Sequence, residues 1–200
     1  MVSIKNGLFL AAMLVLCNSA YADNDDKVRN LLINGDFEDA QNFVADKNDS
    51  MSLLPGSQAL TGWTIINPSN LDVAWLGPKN PWIPAAHGQY YVDLAGYHGS
   101  TPWSGIAQTF ATHRGHYYSV SFSLGHWGTS PSMLRASAGT AVQDFTSSID
   151  PATNWDREHF TFMAISERTT LTLQGTSASN GNYLAVDNVV VQRAERWGDE

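Results

Sequence analysis

The sequence predicts an all-β protein, a two-sheet antiparallel sandwich of the jelly-roll kind. The first observation is strict alternation of apolar and polar residues, clearest over residues 118–124, where aromatic or aliphatic residues alternate with serines. Such alternation places successive side chains on opposite faces of a strand. The second observation is that short apolar runs are separated by Gly, Pro, Asn and Ser throughout. No helical period appears from Leu31 onward, so the spacing favours a sandwich of about ten strands.

The predicted strands follow one another without a linker or an internal repeat. They cover residues 31–34, 62–66, 72–76, 89–94, 106–111, 118–124, 134–138, 142–145, 160–164, 169–173 and 185–192. Residues 38–60 lack a clear pattern, and we predict a long loop with a helical turn there.

The first 22 residues have the features of a secretory signal peptide. Lys5 supplies the positive charge, residues 7–16 form an apolar core too short to span a membrane, and Ala20-Tyr21-Ala22 has the cleavage-site form. Cys17 raises the alternative of a lipoprotein, although Leu16 stands where a small residue is expected. We therefore predict a secreted protein, periplasmic or extracellular. A flexible leader covers residues 23–29, a single domain covers 30–194, and a polar tail covers 195–200.

Charge and cysteine content narrow the class of partner. The chain has a net charge of −8 with Lys5 as the one charged residue of the signal, so the 178 residues that remain carry −9. An acidic domain argues against nucleic acid, and no later apolar run is long enough for membrane insertion. Cleavage also removes the one cysteine, so the domain must be held by its core, with the help of any bound metal.

Carboxylates stand at both ends of the predicted domain. Asp36 and Glu38 close the first predicted strand, and Asp187 lies in the last one, on an apolar face shared with Ala185, Val189 and Val191. A buried, unpaired carboxylate is costly, and a sandwich commonly places its first and last strands side by side. Asp187 could then meet Glu38 or Asp36 around a hard cation with oxygen ligands, such as Ca²⁺. The alternative is an exposed aspartate, or one bound to backbone amides.

The aromatic residues suggest a ligand. The chain has seven Trp and seven Tyr, and exposed aromatic rings on rigid loops stack on the C–H faces of sugars with little loss of entropy. Several tryptophans stand in Gly- and Pro-flanked loops, whereas Trp63 begins a strand and is predicted to be core. The candidate ligand-binding residues are Trp82, Trp103, Trp127, Asn80, His87 and Gln89.

No catalytic motif is visible, and no enzyme activity is predicted. The chain contains neither HExxH nor G-x-S-x-G. His113 and His116 flank Arg114-Gly115 in a predicted turn, and a zinc site assembled across loops is an alternative. Asp72 and Asp93 could be paired as in a glycosidase, but an ion pair or a backbone bond is the expected role of Asp93.

An ordered series of motifs gives a family resemblance over residues 30–192. The motifs are NLLINGDFE at 30–38, LTGWT at 60–64, HGQYYVDLAG at 87–96, YSVSF at 118–122 and VDNV at 186–189. The chain resembles the choice-of-anchor C family of bacterial secreted domains, itself similar to the plant cell-wall domain DUF642. The resemblance implies a galactose-binding-like fold, a binding or wall-associated role, and a structural calcium at the positions of Glu38 and Asp187. His126-Trp127 departs from the Gly-Asn of the family, and no sorting tail follows.

The sequence therefore predicts a secreted, non-catalytic module that binds a polysaccharide or glycan, or that associates with the cell surface or cell wall. Two alternatives stay open. One is a small secreted glycan hydrolase, and the other is a matrix or adhesion protein that binds another protein.

Overall fold

The computed structural model describes residues 29–81, 83–96, 103–128, 131–148, 155–176 and 183–194. These residues form strands and connecting turns, without a helix. The strands are β1 (Ser50–Leu53), β2 (Thr64–Ile66), β3 (Val73–Leu76), β4 (Tyr91–Asp93), β5 (Gly105–Ala111), β6 (Tyr117–Trp127), β7 (Ser132–Ala138), β8 (Ala141–Ser147), β9 (Asp156–Met163), β10 (Arg168–Gly175) and β11 (Tyr183–Arg193). Within the described residues, no helix has the length and hydropathy needed to span a membrane.

Two antiparallel sheets form the sandwich. The six-stranded sheet has the order β1-β3-β4-β11-β6-β9, and the five-stranded sheet has the order β2-β5-β10-β7-β8. The predicted fold class, an all-β jelly-roll sandwich, is confirmed.

The core lies between the sheets and follows the alternation in the sequence. Tyr118, Val120, Phe122 and Leu124 of β6 are fully buried in it, as their period of two predicts. Trp63 is also buried, and its indole N–H donates to the carbonyl oxygen of Asn34 at 2.9 Å. The prediction that this tryptophan belongs to the core is therefore confirmed.

The prediction of a strand at residues 31–34 is wrong. Asn34 and Phe37 have φ angles of 52° and 62°, which extended strands do not adopt. The segment nevertheless lies against the last strand, because Leu31 N donates to Val191 O at 2.9 Å and Val189 N donates to Gly35 O at 2.7 Å. A side chain at Gly35 would place its Cβ 2.2 Å from the Val189 carbonyl oxygen, so the close approach requires glycine.

The prediction for residues 38–60 is also wrong in part. The segment contains the edge strand β1, which pairs with β3, and no helical turn. Only four residues of β1 alternate, which is too short a run to stand out in the sequence.

A bulge in β11 changes which face its residues occupy. The register against β6 shifts between Asp187 and Val190, and Asn188 has a φ of 48°. Val189 and Val191 consequently belong to the core, whereas Ala185 packs with Tyr91 on the outer face of the six-stranded sheet. The prediction that Asp187 shares a face with Val189 and Val191 is therefore wrong.

The two ends of the sandwich differ in the residues they carry. At one end, which we call the Trp103 end, Trp103 N donates to Gly175 O and Ser104 Oγ donates to Leu94 O, so the two sheets are linked there. At the other end, the His116 end, the turn after β5 is bonded to the turn after β9. Trp103 and His116 therefore lie at opposite ends of the molecule.

Candidate functional site

Trp103 presents its ring at the surface of the Trp103 end. The residue is 41% exposed and has a φ of 75°. The guanidinium carbon of Arg135 lies over the ring, 5.3 Å from its centroid, which is within cation–π range. We use "the Trp103 surface" for Trp103, Arg135, Asp144 and Gln174.

The side chains beside Trp103 come from three neighbouring strands in register. Gln174 of β10 pairs with Arg135 of β7, which pairs with Asp144 of β8. Residues opposite one another in a sheet project to the same face, so the three side chains form a row on the outer face of the five-stranded sheet. Gln174 Nε2 donates to the carbonyl oxygen of Trp103 at 2.8 Å, which ties this row to the tryptophan.

Arg135 and Asp144 form a two-pronged ion pair. Arg135 Nε and Nη2 donate to Oδ1 and Oδ2 of Asp144, each at 2.7 Å. The hydrogen bond raises the pKa of Arg135 and lowers the pKa of Asp144, so both groups are charged at neutral pH. A guanidinium has five N–H donors, and the pair therefore offers further donors and acceptors next to an apolar ring.

Arg135, Asp144 and Gln174 are not among the binding residues predicted from the sequence. A signal for the first two was present, because β7 and β8 form a hairpin around Gly139-Thr140 with Ala138 opposite Ala141. Counting outward from this two-residue turn pairs Arg135 with Asp144. The contact with Trp103 had no such signal, since it joins distant segments.

The other two tryptophans that were predicted to bind a ligand are Trp127 and Trp82. Trp127 is 37% exposed and packs edge-on against Tyr183, with ring centroids 5.4 Å apart. It lies at the Trp103 end, but in the six-stranded sheet. Trp82 lies outside the described residues.

The predicted polar partners do not lie on the Trp103 surface. Asn80, His87 and Gln89 belong to the connection between β3 and β4, whose Ile83 packs with Tyr91 on the outer face of the six-stranded sheet. Asn80 Nδ2 donates to Asn48 O at 3.1 Å and so joins two loops. The side chains of His87 and Gln89 are exposed, on the opposite face of the sandwich from Trp103.

The structure brings Glu38 and Asp187 to this same connection. Asp187 Oδ2 accepts a hydrogen bond from His87 N at 2.8 Å. Glu38 Oε1 accepts from Gln89 N and Tyr90 N, each at 2.7 Å. The Glu38 carboxylate lies so close that a Cβ at Gly88 would be 2.4 Å from its Cδ.

Asp187 is fully buried, and this burial changes the pKa of its carboxyl group. Burial is the main cause that raises its pKa to about 7, and the charge of Glu38 raises it further. Hydrogen bonds from the backbone of Ala86, His87 and Asn188 act in the opposite direction. Two adjacent carboxylates with this desolvation are a suitable environment for a divalent cation.

Few further calcium ligands lie beside Glu38 and Asp187 among the described residues. Asp36 Oδ1 accepts a hydrogen bond from the backbone nitrogen of Glu38 at 3.5 Å, so its described contact is within its own segment and not with Asp187. Among the described residues, no group of three or more His, Cys, Asp or Glu is arranged to hold a metal. The carbonyl oxygen of Asn34 already accepts from Phe37 N and Trp63 Nε1. Carboxylate oxygens are ligands that Ca²⁺ prefers, and any further ligands of such an ion would have to come from backbone carbonyls and water.

A second acidic pair lies at the Trp103 end. Asp72 and Asp93 are only 2% and 3% exposed, and the charge of Asp72 contributes to raising the pKa of Asp93. Asp93 Oδ1 accepts from Ala95 N and Leu184 N, each at 2.9 Å. The predicted backbone bond of Asp93 is thus confirmed, and this carboxylate joins β4 to β11. Asp72 instead accepts a hydrogen bond from Ser52 Oγ of β1 at 2.7 Å.

Comparison with known proteins gives one family and several similar folds. A family described as "Protein of unknown function (DUF642)" matches residues 30–192. Halomucin from Haloquadratum walsbyi is 28% identical over 165 residues, which are 81% of this chain and 2% of halomucin. The chain therefore spans a small fraction of that curated relative.

Among solved structures, TmCBM61 in complex with β-1,4-galactotriose is 16% identical with a TM-score of 0.48, covering 83% of this chain and 99% of that one. The CBM22-1 xylan-binding domain of Paenibacillus barcinonensis Xyn10C is 14% identical with a TM-score of 0.48, covering 76% and 97%. The family match extends over most of the chain, and this protein belongs to the DUF642 family.

Proposed function

We propose that the protein is a secreted, non-catalytic carbohydrate-binding module and that the Trp103 surface binds the glycan. The observation that carries this proposal is the exposed ring of Trp103, set beside the charged pair of Arg135 and Asp144 and beside Gln174. A sugar presents apolar C–H groups on one face and hydroxyl groups around its edge. The tryptophan ring can stack on the C–H groups, and the row of polar side chains can bind the hydroxyl groups by hydrogen bonds.

The surface is fixed before any ligand arrives. Trp103 N donates to Gly175 O at 2.6 Å, and the Trp103 carbonyl accepts from Gln174. Arg135 is held both by Asp144 and by its contact with the ring. Because few rotamers remain to be lost, binding costs little side-chain entropy.

The burial and the pKa values of the carboxyl groups favour glycan binding over glycan hydrolysis. Glycoside hydrolysis requires two carboxyl groups that flank the substrate, one of them able to donate a proton. Asp72 and Asp93 are buried away from solvent. Asp144 is exposed, but its lowered pKa makes it a poor proton donor.

The proposal includes a structural Ca²⁺ at Glu38 and Asp187. Its support is the meeting of the two carboxylates at residues 86–90 and the burial of Asp187. Such an ion would join the amino-terminal segment to the last strand and to the β3–β4 connection. The chain has no cysteine after residue 22, so the cation would take the place of a covalent link.

Export is the last part of the proposal. Its support is the charge at Lys5, the apolar core of residues 7–16 and the Ala20-Tyr21-Ala22 sequence. Mass spectrometry of the protein recovered outside the cytoplasm should show Asp23 as the first residue. An acylated amino-terminal Cys17 would contradict cleavage at Ala22.

A glycan array with the tag-free protein from Asp23 onward tests the proposed function. We expect retention on a defined set of polysaccharides, with xylan and β-1,4-galactan oligosaccharides among the first probes. Each bound oligosaccharide is then incubated with the protein overnight and analysed by mass. Shortened products would support the hydrolase alternative, and retention on no glycan would contradict the proposal.

A further inference from the structure

The turn between β5 and β6 holds two histidines side by side. His116 N donates to His113 O at 3.1 Å, and Gly115 between them has a φ of 82°, as in a type II turn. This turn places residues i and i+3 next to each other. The imidazole rings have centroids 5.7 Å apart and are inclined by 49°.

The turn is fixed by neighbours on several sides. Gly115 N donates to Ala164 O at 2.7 Å, and Ala164 N donates to His116 O at 2.9 Å. His113 N donates to the hydroxyl oxygen of Tyr118, a buried residue, at 2.8 Å. The backbone that carries the two rings is therefore held by the sandwich.

The separation of the rings suits a shared metal ion. Two imidazoles bound tetrahedrally to one zinc, at about 2.0 Å per Zn–N bond, have ring centroids about 5.2 Å apart. The observed 5.7 Å differs from this by an amount that side-chain rotation can close. Imidazole nitrogen is a preferred ligand of Zn²⁺, Ni²⁺ and Cu²⁺.

Two further observations point to a ligand here. Nδ1 of His116 is buried, and it has no hydrogen-bond partner among the described residues, which is unfavourable unless something binds it. Glu167 Oε2 lies 3.7 Å from Nδ1 of His113. Metal-binding histidines commonly direct their second ring nitrogen toward a carboxylate, which orients the ring.

We propose that His113 and His116 form a site for a divalent transition metal, with Glu167 as a positioning residue. No third His, Cys, Asp or Glu completes a ligand group in the described residues, so water would fill the remaining positions. The site lies at the His116 end, away from both the Trp103 surface and the carboxylates of Glu38 and Asp187. It is therefore independent of the proposed glycan binding and of the proposed calcium.

Calorimetric titration of the tag-free protein with Zn²⁺ tests the proposal. The buffer contains millimolar Ca²⁺, so that zinc does not occupy the carboxylate pair. We expect one saturable zinc per chain, tighter binding of Cu²⁺ as the Irving–Williams order requires, and no competition by Mg²⁺. His113→Asn and His116→Gln should each weaken zinc binding at least about tenfold, and Glu167→Gln should weaken it by a smaller factor.

His159→Gln is the matched control, because His159 is an exposed histidine on β9 that faces Ser121. It should bind zinc as the wild-type protein does. If a histidine variant fails to fold, NMR of the wild-type imidazoles replaces it, and zinc should shift the His113 and His116 signals and leave those of His159 in place. Unchanged affinity in both histidine variants, or zinc shifts at other histidines only, would overturn the proposal.

Discussion

Glu38 and Asp187 bind the same short segment from two sides. Glu38 accepts hydrogen bonds from the backbone of Gln89 and Tyr90, and Asp187 accepts one from His87. The negative charge of Glu38 raises the pKa of Asp187, whose burial already raises it. Above about pH 7 the folded protein therefore holds two like charges close together, and a bound cation would offset their repulsion.

The first prediction is that Ca²⁺ stabilises the domain through this pair. A ligand that binds only the folded state at one hundred times its Kd contributes about 2.7 kcal/mol. For a domain of this size we expect a Tm about 5–10 °C higher in calcium than in chelator, measured by calorimetry. Asp187→Asn and Glu38→Gln should each abolish the increase.

Glu167→Gln is the control for the calcium prediction, since it removes an exposed carboxylate at the His116 end. It should retain the full calcium effect. A wild-type protein that melts at the same temperature in calcium and in chelator would contradict the assignment.

The second prediction concerns the bulge that turns Asp187 out of the core. Asn188 has a φ of 48°, a conformation that costs a branched residue about 1–2 kcal/mol and glycine almost nothing. Asn188→Val should therefore unfold at lower denaturant than wild type by about that free energy, and Asn188→Gly should remain close to wild type. Equal stability of the two variants would show that the backbone at this position is not left-handed.

The third prediction is a pH dependence that comes from Asp93. Burial is the largest cause that raises its pKa from 3.8 to about 7 in the folded protein. Between pH 4 and 7 the folded state therefore holds a proton that the unfolded state has lost. The free energy of unfolding must fall as pH rises through this window, by as much as about 4 kcal/mol, and then level off.

Asp93→Asn keeps an oxygen to accept from Ala95 N and Leu184 N while removing the titration. Urea unfolding of both proteins at pH 5 and pH 8 gives the change in unfolding free energy of each. The difference between the two changes is due to Asp93, because Asp187 is present in both proteins. We expect the variant to lose less stability than wild type between the two pH values. Identical losses would mean that Asp93 is ionised throughout.

Most of the fold could be predicted from the sequence because alternation is local. The strand predicted at 118–124 is confirmed as part of β6, where alternate residues enter the core. The bulge at Asn188 was not predicted, because the alternation was continued through this residue, although asparagine adopts a left-handed conformation more readily than most residues. Its effect was to place Val189 on the wrong face in the prediction.

The candidate site could be predicted only in part. Exposed Trp103 was indicated by its Gly- and Pro-flanked loop, but its partners depend on the register of three strands. Arg135 and Asp144 could be paired from their hairpin turn, whereas Gln174 meets Trp103 through a contact between distant segments. Contacts of this kind depend on which strands become neighbours within a sheet and not on local sequence.

The central claim is that Trp103 binds a glycan by stacking. The direct test is isothermal titration of the best ligand from the array against wild type, Trp103→Ala and Tyr117→Ala. Tyr117 is a comparably exposed aromatic residue on β6, at the His116 end, and serves as the control. We predict that Trp103→Ala loses about 2 kcal/mol or more, roughly thirtyfold in Kd, with an unchanged Tm, and that Tyr117→Ala binds normally. Wild-type affinity in a folded Trp103→Ala variant would contradict the account.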